Sequence, residues 1–421
     1  MNIVMLSNTY LPHVGGVARS VESSSAWLRS HGQRVLVAAP SFAGAPEVEP
    51  DVVRVPALQR FNGSDFSVPL PMTLPLHRAL ERFGPDLVHS HHPFLLGDTA
   101  LRVAAAFDLP IVFTHHTMYE HYTRYVPLDS PRMRRFAIEL ASGYADLCDL
   151  AVAPSESVAA ILRDRGVRTR IEVVPTGVEI ARLAAGDGRG FRIRYGIPTD
   201  GIVVGHVGRL AAEKNLRFLV TAIASHLAAD SRVHAVIVGS GPEERAIFAH
   251  FRERRLLGRV HLTGVLGGPA LADAYGAMDV FAFASTTETQ GLVLAEAMAA
   301  GVPVVAVDAP GVREVVCDGI NGRLLGAQDG ASFASALSWA ASPAARRELD
   351  PGVARTAARY STDATGGRTL ALYEELVRRG RRSGDSHRWS TARRRLREEW
   401  VLLSHRAQTL RHSWAPPKVI P

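Results

Sequence analysis

Short runs of consecutive apolar residues, rich in Val, Ile and Ala, alternate along the chain with segments whose apolar residues recur every three or four positions. The first kind predicts strands at 2–7, 35–39, 86–90, 111–115, 150–154 and 172–176, then at 202–208, 234–240, 260–264, 280–285 and 302–308. The second predicts helices, among them 16–31, 155–165, 215–229, 242–256 and 290–300. A strand that is apolar at every position, not at every second one, is buried on both faces. Strand–helix alternation with such strands means parallel sheets covered by helices on both sides, an α/β chain.

The pattern falls into two halves. The stretch AAGDGRGFRIRYGIP near 185–198 reads as a glycine-rich linker and a fresh start. It predicts one domain over 1–187 and a second over 188–364, with a last core helix at about 365–380 returning to the first. Residues 381–421 form a separate tail. A chain of 421 residues suits two domains of ordinary size.

Composition adds exclusions. With 47% hydrophobic and 21% charged residues, the chain is globular. Its two cysteines, Cys148 and Cys317, show neither a disulfide framework nor a zinc-ribbon spacing, which suits a reducing cytoplasm. The opening MNIVMLSNTYLP lacks the basic and apolar regions of a signal peptide and reads as a first buried strand. No run of about 18 uncharged apolar residues predicts a membrane span. The net charge of +7 is uneven: from Arg378 onward twelve Lys and Arg face three Asp and Glu, so this end is +9 and the rest of the chain −2.

In doubly wound sheets ligands sit beyond the carboxyl ends of the strands, so the residues just past each strand carry the argument. After 202–208 come Arg209 and Lys214, a forked donor and a point charge suited to a departing diphosphate; read alone they are also two solvated cations. After 280–285 comes Glu288-Thr289-Gln290-Gly291 at a helix mouth, where backbone N–H groups and the dipole favour phosphate oxygens. Glu288 and Glu296 are acceptor-only groups suited to hydroxyl-rich ligands, or else a helix-start carboxylate and a locally satisfied core acid. Glu296 lies in an almost wholly apolar helix, where an unpaired carboxylate is costly.

In the first half, Gly15 and Gly16 follow the opening strand and let backbone approach a ligand, or make a plain turn. Six histidines fall in 89–121, in HSHHPF and THHTMYEHY, both just past strands. Without a His-x3-His pair or accompanying Cys and Asp, most read as hydrogen-bonded structural histidines, and no metal site is expected.

The stretch TTETQGLVLAEAMAAGVPVVA, with its Glu-x7-Glu spacing, together with HVGRLAAEKN, resembles the signature of family 4 retaining glycosyltransferases. The resemblance spans essentially 1–380 and implies the GT-B architecture, two Rossmann-like parallel-sheet domains facing an interdomain cleft that closes to assemble the site. It implies that Arg209 and Lys214 bind the donor diphosphate, Glu288 the donor sugar and Glu296 the ribose. Thr289, Gln290 and Gly291 join them, while VGSGPEE (238–244) and Val265 match positions near the base. The glycine loop at Gly15 and Gly16 would meet donor phosphate, and the Thr-x-His-Thr element THHT places His116 beside the transferred sugar. The run TMYEHY resembles bacterial enzymes that glucosylate diacylglycerol, which puts Tyr119, Glu120 and Tyr122 near the acceptor.

The implied reaction moves a hexose, here glucose from a UDP donor, to a hydroxyl of a membrane lipid such as diacylglycerol. The chain has no Asp-x-Asp motif; no metal and no other cofactor is expected, with cations and a helix end taking the metal's part. Front-face transfer with retention is the implied route, the leaving diphosphate taking the acceptor proton. Other readings keep the transfer and change the acceptor to a polysaccharide intermediate or a small metabolite, or replace transfer by nucleotide-sugar epimerisation or by binding without catalysis. Beyond the resemblance, Leu396, Trp400, Leu403, Ala407 and Leu410 recur at helical spacing opposite an arginine-rich side. That pattern suits an interfacial helix on anionic lipid, as well as a solvated tail. It places the protein in the cytoplasm, peripheral on the inner face of the membrane. No nucleic-acid module accompanies the charge, and no nucleic-acid partner is expected.

Overall fold

The computed structural model describes residues 1–382 apart from Val14, Ala43, Glu47, Val48, 59–67, 70–73 and 122–129. The chain divides into two compact units, the first made of Met1–Pro175 with the chain from Gly366 onward, the second of Thr176–Thr365.

The first unit holds a seven-stranded parallel sheet. Its strands are β1 (Asn2–Leu6), β2 (Arg34–Pro40), β3 (Val52–Val55), β6 (Leu87–Ser90), β7 (Ile111–Thr114), β8 (Leu150–Ala153) and β9 (Ile171–Val173). They run in the order β3-β2-β1-β6-β7-β8-β9, and β4 (Ala57–Leu58) and β5 (Val68–Pro69) form a small antiparallel pair apart from them. The second unit holds β10 (Ile202–Val207), β11 (Val233–Val238), β12 (Val260–Gly264), β13 (Val280–Phe283), β14 (Val304–Val307) and β15 (Gly322–Leu325), ordered β12-β11-β10-β13-β14-β15 and parallel throughout. In both sheets the order of strand addition reverses beside the first strand, between β1 and β6 and between β10 and β13. That is the doubly wound order, and its switch point is where such sheets bind ligands.

Alternate residues explain the unbroken apolar runs. Val4 and Leu6 of β1 enter one core and Ile3 and Met5 the other, on opposite faces of the sheet. Val203 and Val207 of β10 are likewise separated from Val204. All eleven expected strands are present. Two edge strands of the sheets, β3 and β15, were not expected. Their residues are mostly half-buried and each contains an arginine, Arg54 or Arg323, so neither makes a continuous apolar run.

The boundary differs from the expected 187/188. The chain enters the second unit at Pro175–Thr176, and the glycine-rich stretch is part of that unit, not a linker. A Cβ on Gly186 would lie 2.1 Å from Ala272 O, and one on Gly188 2.1 Å from Gly276 O, so these glycines let the backbone press against the helix Gly268–Gly276. Asp187 caps the helix Gly188–Arg194 by accepting from Gly190 N–H at 2.8 Å. Arg192 then donates to Ala277 O and Asp279. The chain returns to the first unit at Gly366, within the helix Thr362–Arg382. That helix buries Leu372, Tyr373, Leu376 and Val377 in the first unit's core.

Candidate active site

In the second unit the loops after β10 and β13, the two switch-point strands, are tied together. Ser285 and Thr287 hydroxyls donate to Glu213 O, at 3.3 and 3.4 Å, and Asn215 Nδ2 donates to Ala284 O at 3.2 Å. Across this seam Lys214 Nζ donates to Glu288 Oε1, with the two side chains 24% and 15% exposed. Two charges this far out of water are costly to desolvate, so if one member leaves, the other needs a new partner. Arg209 is exposed on the same loop as Lys214.

Glycines set that loop's position. A Cβ on Gly239 would sit 1.9 Å from Gly208 O, and one on Gly241 2.3 Å from Leu210 O. Leu210 N–H donates to Ser240 O and Glu243 N–H to Leu210 O, both at 2.9 Å. The GSGP turn therefore cradles the Arg209 loop from beneath. Gly311, with φ at +74°, does the same for the glutamate loop: a Cβ there would meet Glu288 O at 2.8 Å. The helix Leu292–Ala299 starts at Gly291, which is left-handed at φ +70°. Its first-turn N–H groups are the donors an anionic oxygen meets at a helix mouth. Thr289 is half-buried beside it.

Glu296 is 5% exposed, and its Oε2 accepts from the buried Tyr275 hydroxyl at 2.8 Å. The sequence reading found the acid and missed the tyrosine that satisfies it. Gln290 has its side chain engaged within the unit. Its side chain donates to Thr176 O and accepts from Thr176 N–H, both at 2.8 Å, so it braces the start of the unit, and only its backbone is left for a ligand. Val265 is exposed just past β12, two strands from β10. His206, unnoticed in the sequence, lies buried in β10 near Lys214 and Glu288. Burial first, then the nearby Lys214, pull its pKa down to about 4, against the hydrogen bond to Ala282 O.

In the first unit the equivalent loops carry imidazoles. Asn8, fully buried past β1, donates its N–H to His92 Nδ1 at 3.1 Å. Its side chain donates to Phe94 O and accepts from Leu96 N–H. This fastens the glycine loop to the loop after β6. Arg54 holds the other side, donating to Leu11 O at 2.7 Å and to both oxygens of Glu49. Gly15 is extended, not left-handed, and a Cβ on Gly16 would meet nothing within 4 Å. The protein's own packing thus leaves space at Gly16.

His91 Nδ1 and His116 Nε2 lie 2.9 Å apart. His89 pairs with the Thr114 hydroxyl at 2.7 Å and the Tyr373 hydroxyl at 2.5 Å. Burial lowers all five pKa values, to about 3 for His89, His92 and His115, to about 4 for His116 and well below 6.5 for His91. The cluster is neutral at pH 7. Among the described residues no three His, Cys, Asp or Glu converge as a metal site. The Tyr119 ring packs edge-on against Phe94 and His115. Glu120, expected near the acceptor, has its carboxylate engaged by Arg165. Tyr122 and the 383–421 tail lie outside the described residues, as do the side chains of His121, Arg381 and Arg382. No described helix is long and apolar enough to cross a membrane.

Comparison with known proteins bears on the family and the fold. Residues 14–182 match the model for Glycosyltransferase Family 4, and 201–342 that for Glycosyl transferases group 1. A GDP-mannose-dependent alpha-mannosyltransferase of Mycolicibacterium smegmatis is 33% identical over 77% of this chain and 84% of its own. An alpha-monoglucosyldiacylglycerol synthase of Streptococcus pneumoniae is 28% identical over 77% of this chain and 75% of its own. The structure of Anabaena HepE in complex with UDP and glucose superposes with a TM-score of 0.69 at 21% identity, over 89% of this chain and all of that one. The two Rossmann-like units and the family matches thus have one explanation: the chain belongs to glycosyltransferase family 4, with the GT-B fold, and is a hexosyltransferase resembling the bacterial diacylglycerol glucosyltransferases.

Proposed function

We propose that this enzyme transfers glucose from UDP-glucose to a hydroxyl of a membrane lipid such as diacylglycerol, with retention and without a metal ion. The observation that carries the donor half is the tied pair of loops after β10 and β13. They set Lys214 against Glu288 beside the mouth of the helix Leu292–Ala299. Lys214 and Arg209 take the charge that grows on the diphosphate as the bond from C1 to the β-phosphate oxygen breaks. Glu288 accepts from sugar hydroxyls and Glu296, braced by Tyr275, from the ribose. The new bond forms between C1 and the acceptor oxygen, whose proton passes to the departing diphosphate. His116 positions groups at the transferred sugar.

The lipid acceptor is supported by the TMYEHY run and by the synthase named above. The arginine-rich tail would hold the enzyme on anionic lipid, peripheral to the membrane. A second reading, mannose from GDP-mannose, is favoured by the 33% identity to the mannosyltransferase.

One experiment separates them. The full chain is incubated with UDP-glucose, UDP-galactose, UDP-N-acetylglucosamine or GDP-mannose and anionic vesicles containing diacylglycerol, with and without chelator. The expected product is a glucosylated lipid, formed equally with chelator present. Transfer from GDP-mannose alone overturns the donor, and donor hydrolysis without lipid product overturns the acceptor.

A further inference from the structure

We propose that His91 is the positioning residue for His116, donating its Nδ1–H to His116 Nε2 and so fixing His116 as the tautomer protonated at Nδ1. The assignment follows from where each ring can place a proton. The two nitrogens are 2.9 Å apart, and the rings stack at 24° with centroids 5.2 Å apart. Both rings are neutral, since burial holds each below its ordinary range. A neutral pair has one N–H and one lone pair at the contact, so only two arrangements exist.

In one, His116 donates. His91 must then carry its own proton on Nε2. That atom is buried and has no hydrogen-bond partner. A buried N–H without an acceptor is rarer and more costly than a bare lone pair. In the other arrangement His91 donates from Nδ1 and leaves a lone pair at Nε2, the milder defect. The hydrogen bond at one nitrogen then dictates the proton at the other.

The ring that does this is itself held from behind. His91 packs against His89 with the rings tilted at 38° and centroids 4.0 Å apart, and His89 is fixed between the Tyr373 and Thr114 hydroxyls. The helix Thr362–Arg382, through Tyr373, thus holds the His89 ring against which His91 packs.

The chemical consequence is specific. The Nε2 lone pair of His116 is already taken by His91, and its Nδ1 is a donor. His116 therefore presents an N–H and not a lone pair at Nδ1, and does not accept the acceptor's proton. This consequence rests on the placement of His116 beside the transferred sugar; the tautomer itself does not.

The test uses full-length protein labelled with 15N-histidine, read by long-range proton–nitrogen correlation at pH 7, with His116→Gln assigning the signals. The expected spectrum shows His116 protonated at Nδ1 and bare at Nε2. In His91→Leu the signature moves toward the Nε2–H form that free imidazole prefers. In His91→Asn, whose amide nitrogen lies near the lost Nδ1, it stays as in the parent. Turnover of His91→Leu falls roughly tenfold or more, chiefly in kcat, and His91→Asn recovers most of it. A parent spectrum with His116 protonated at Nε2 overturns the proposal, whether or not the variants fold. So does an unchanged signature in His91→Leu. A shifted tautomer with unchanged turnover upholds the assignment and overturns instead the placement of His116 at the sugar.

Discussion

The loops after β10 and β13 carry a guanidinium, an ammonium and two carboxylates, Lys214 paired with Glu288. The end of β6 and the loops after β6 and β7, past the same edge of a sheet with the same winding, carry five imidazoles that burial keeps uncharged. Winding fixes where a ligand can lie and leaves open what meets it there. A leaving diphosphate needs compensating charge. An acceptor hydroxyl needs oriented donors and acceptors that do not compete as ions, and a buried, uncharged cluster is suited to that.

The contrast can be broken most severely on the charged side. Lys214→Ala removes a cation from the diphosphate and leaves Glu288 without that partner, so transfer should fall on the order of 10²–10³-fold. Steady-state kinetics at saturating donor checks this, and a loss of only a few-fold would mean that the ammonium does not meet the leaving group.

Acid sharpens the contrast next. An unperturbed histidine titrates near 6.5, whereas His89, His92 and His115 titrate at about 3 and His116 at about 4 in the fold. Between those values the unfolded chain binds more protons than the native one, so stability rises with pH through this window and is lost on acidification. Each such residue contributes at most about 1.4 kcal/mol per pH unit. In the second unit His206 is the one histidine pulled as low as about 4. Hydrogen exchange from pH 7 to pH 5 should therefore show the first unit's core losing protection ahead of the second's; the reverse order would contradict the burial argument.

The smallest effect tests the support beneath the charges. Gly311→Ala must tolerate φ of +74° and a Cβ 2.8 Å from Glu288 O, at about 1–2 kcal/mol. A thermal melt should drop by a few degrees, with weaker UDP binding by calorimetry. Unchanged UDP affinity would separate the glutamate loop from the nucleotide.

The sequence made the sheets legible because most strands are buried on both faces and run mainly apolar, with only isolated polar residues such as His89 and His206. It hid β3 and β15 because Arg54 and Arg323 interrupt theirs. The residue types of the site were readable at strand ends, but their partners were not. Tyr275 meets Glu296 from 21 residues away, His91 meets His116 from 25, and Gly311 touches the Glu288 backbone. Gln290 and Glu120 were polar residues at suggestive places whose side chains the fold uses for itself. No local pattern distinguishes such uses, since each depends on which strands become neighbours.

The packed glycines at 186 and 188 govern how this protein can be recombined with its relatives. A chimera spliced through that stretch would sever a helix from the body it belongs to and press Cβ atoms onto foreign carbonyls if the glycines were replaced. Exchange of intact halves needs two seams, at Pro175–Thr176 and at Thr365–Gly366, so that the terminal helix travels with the histidine it holds.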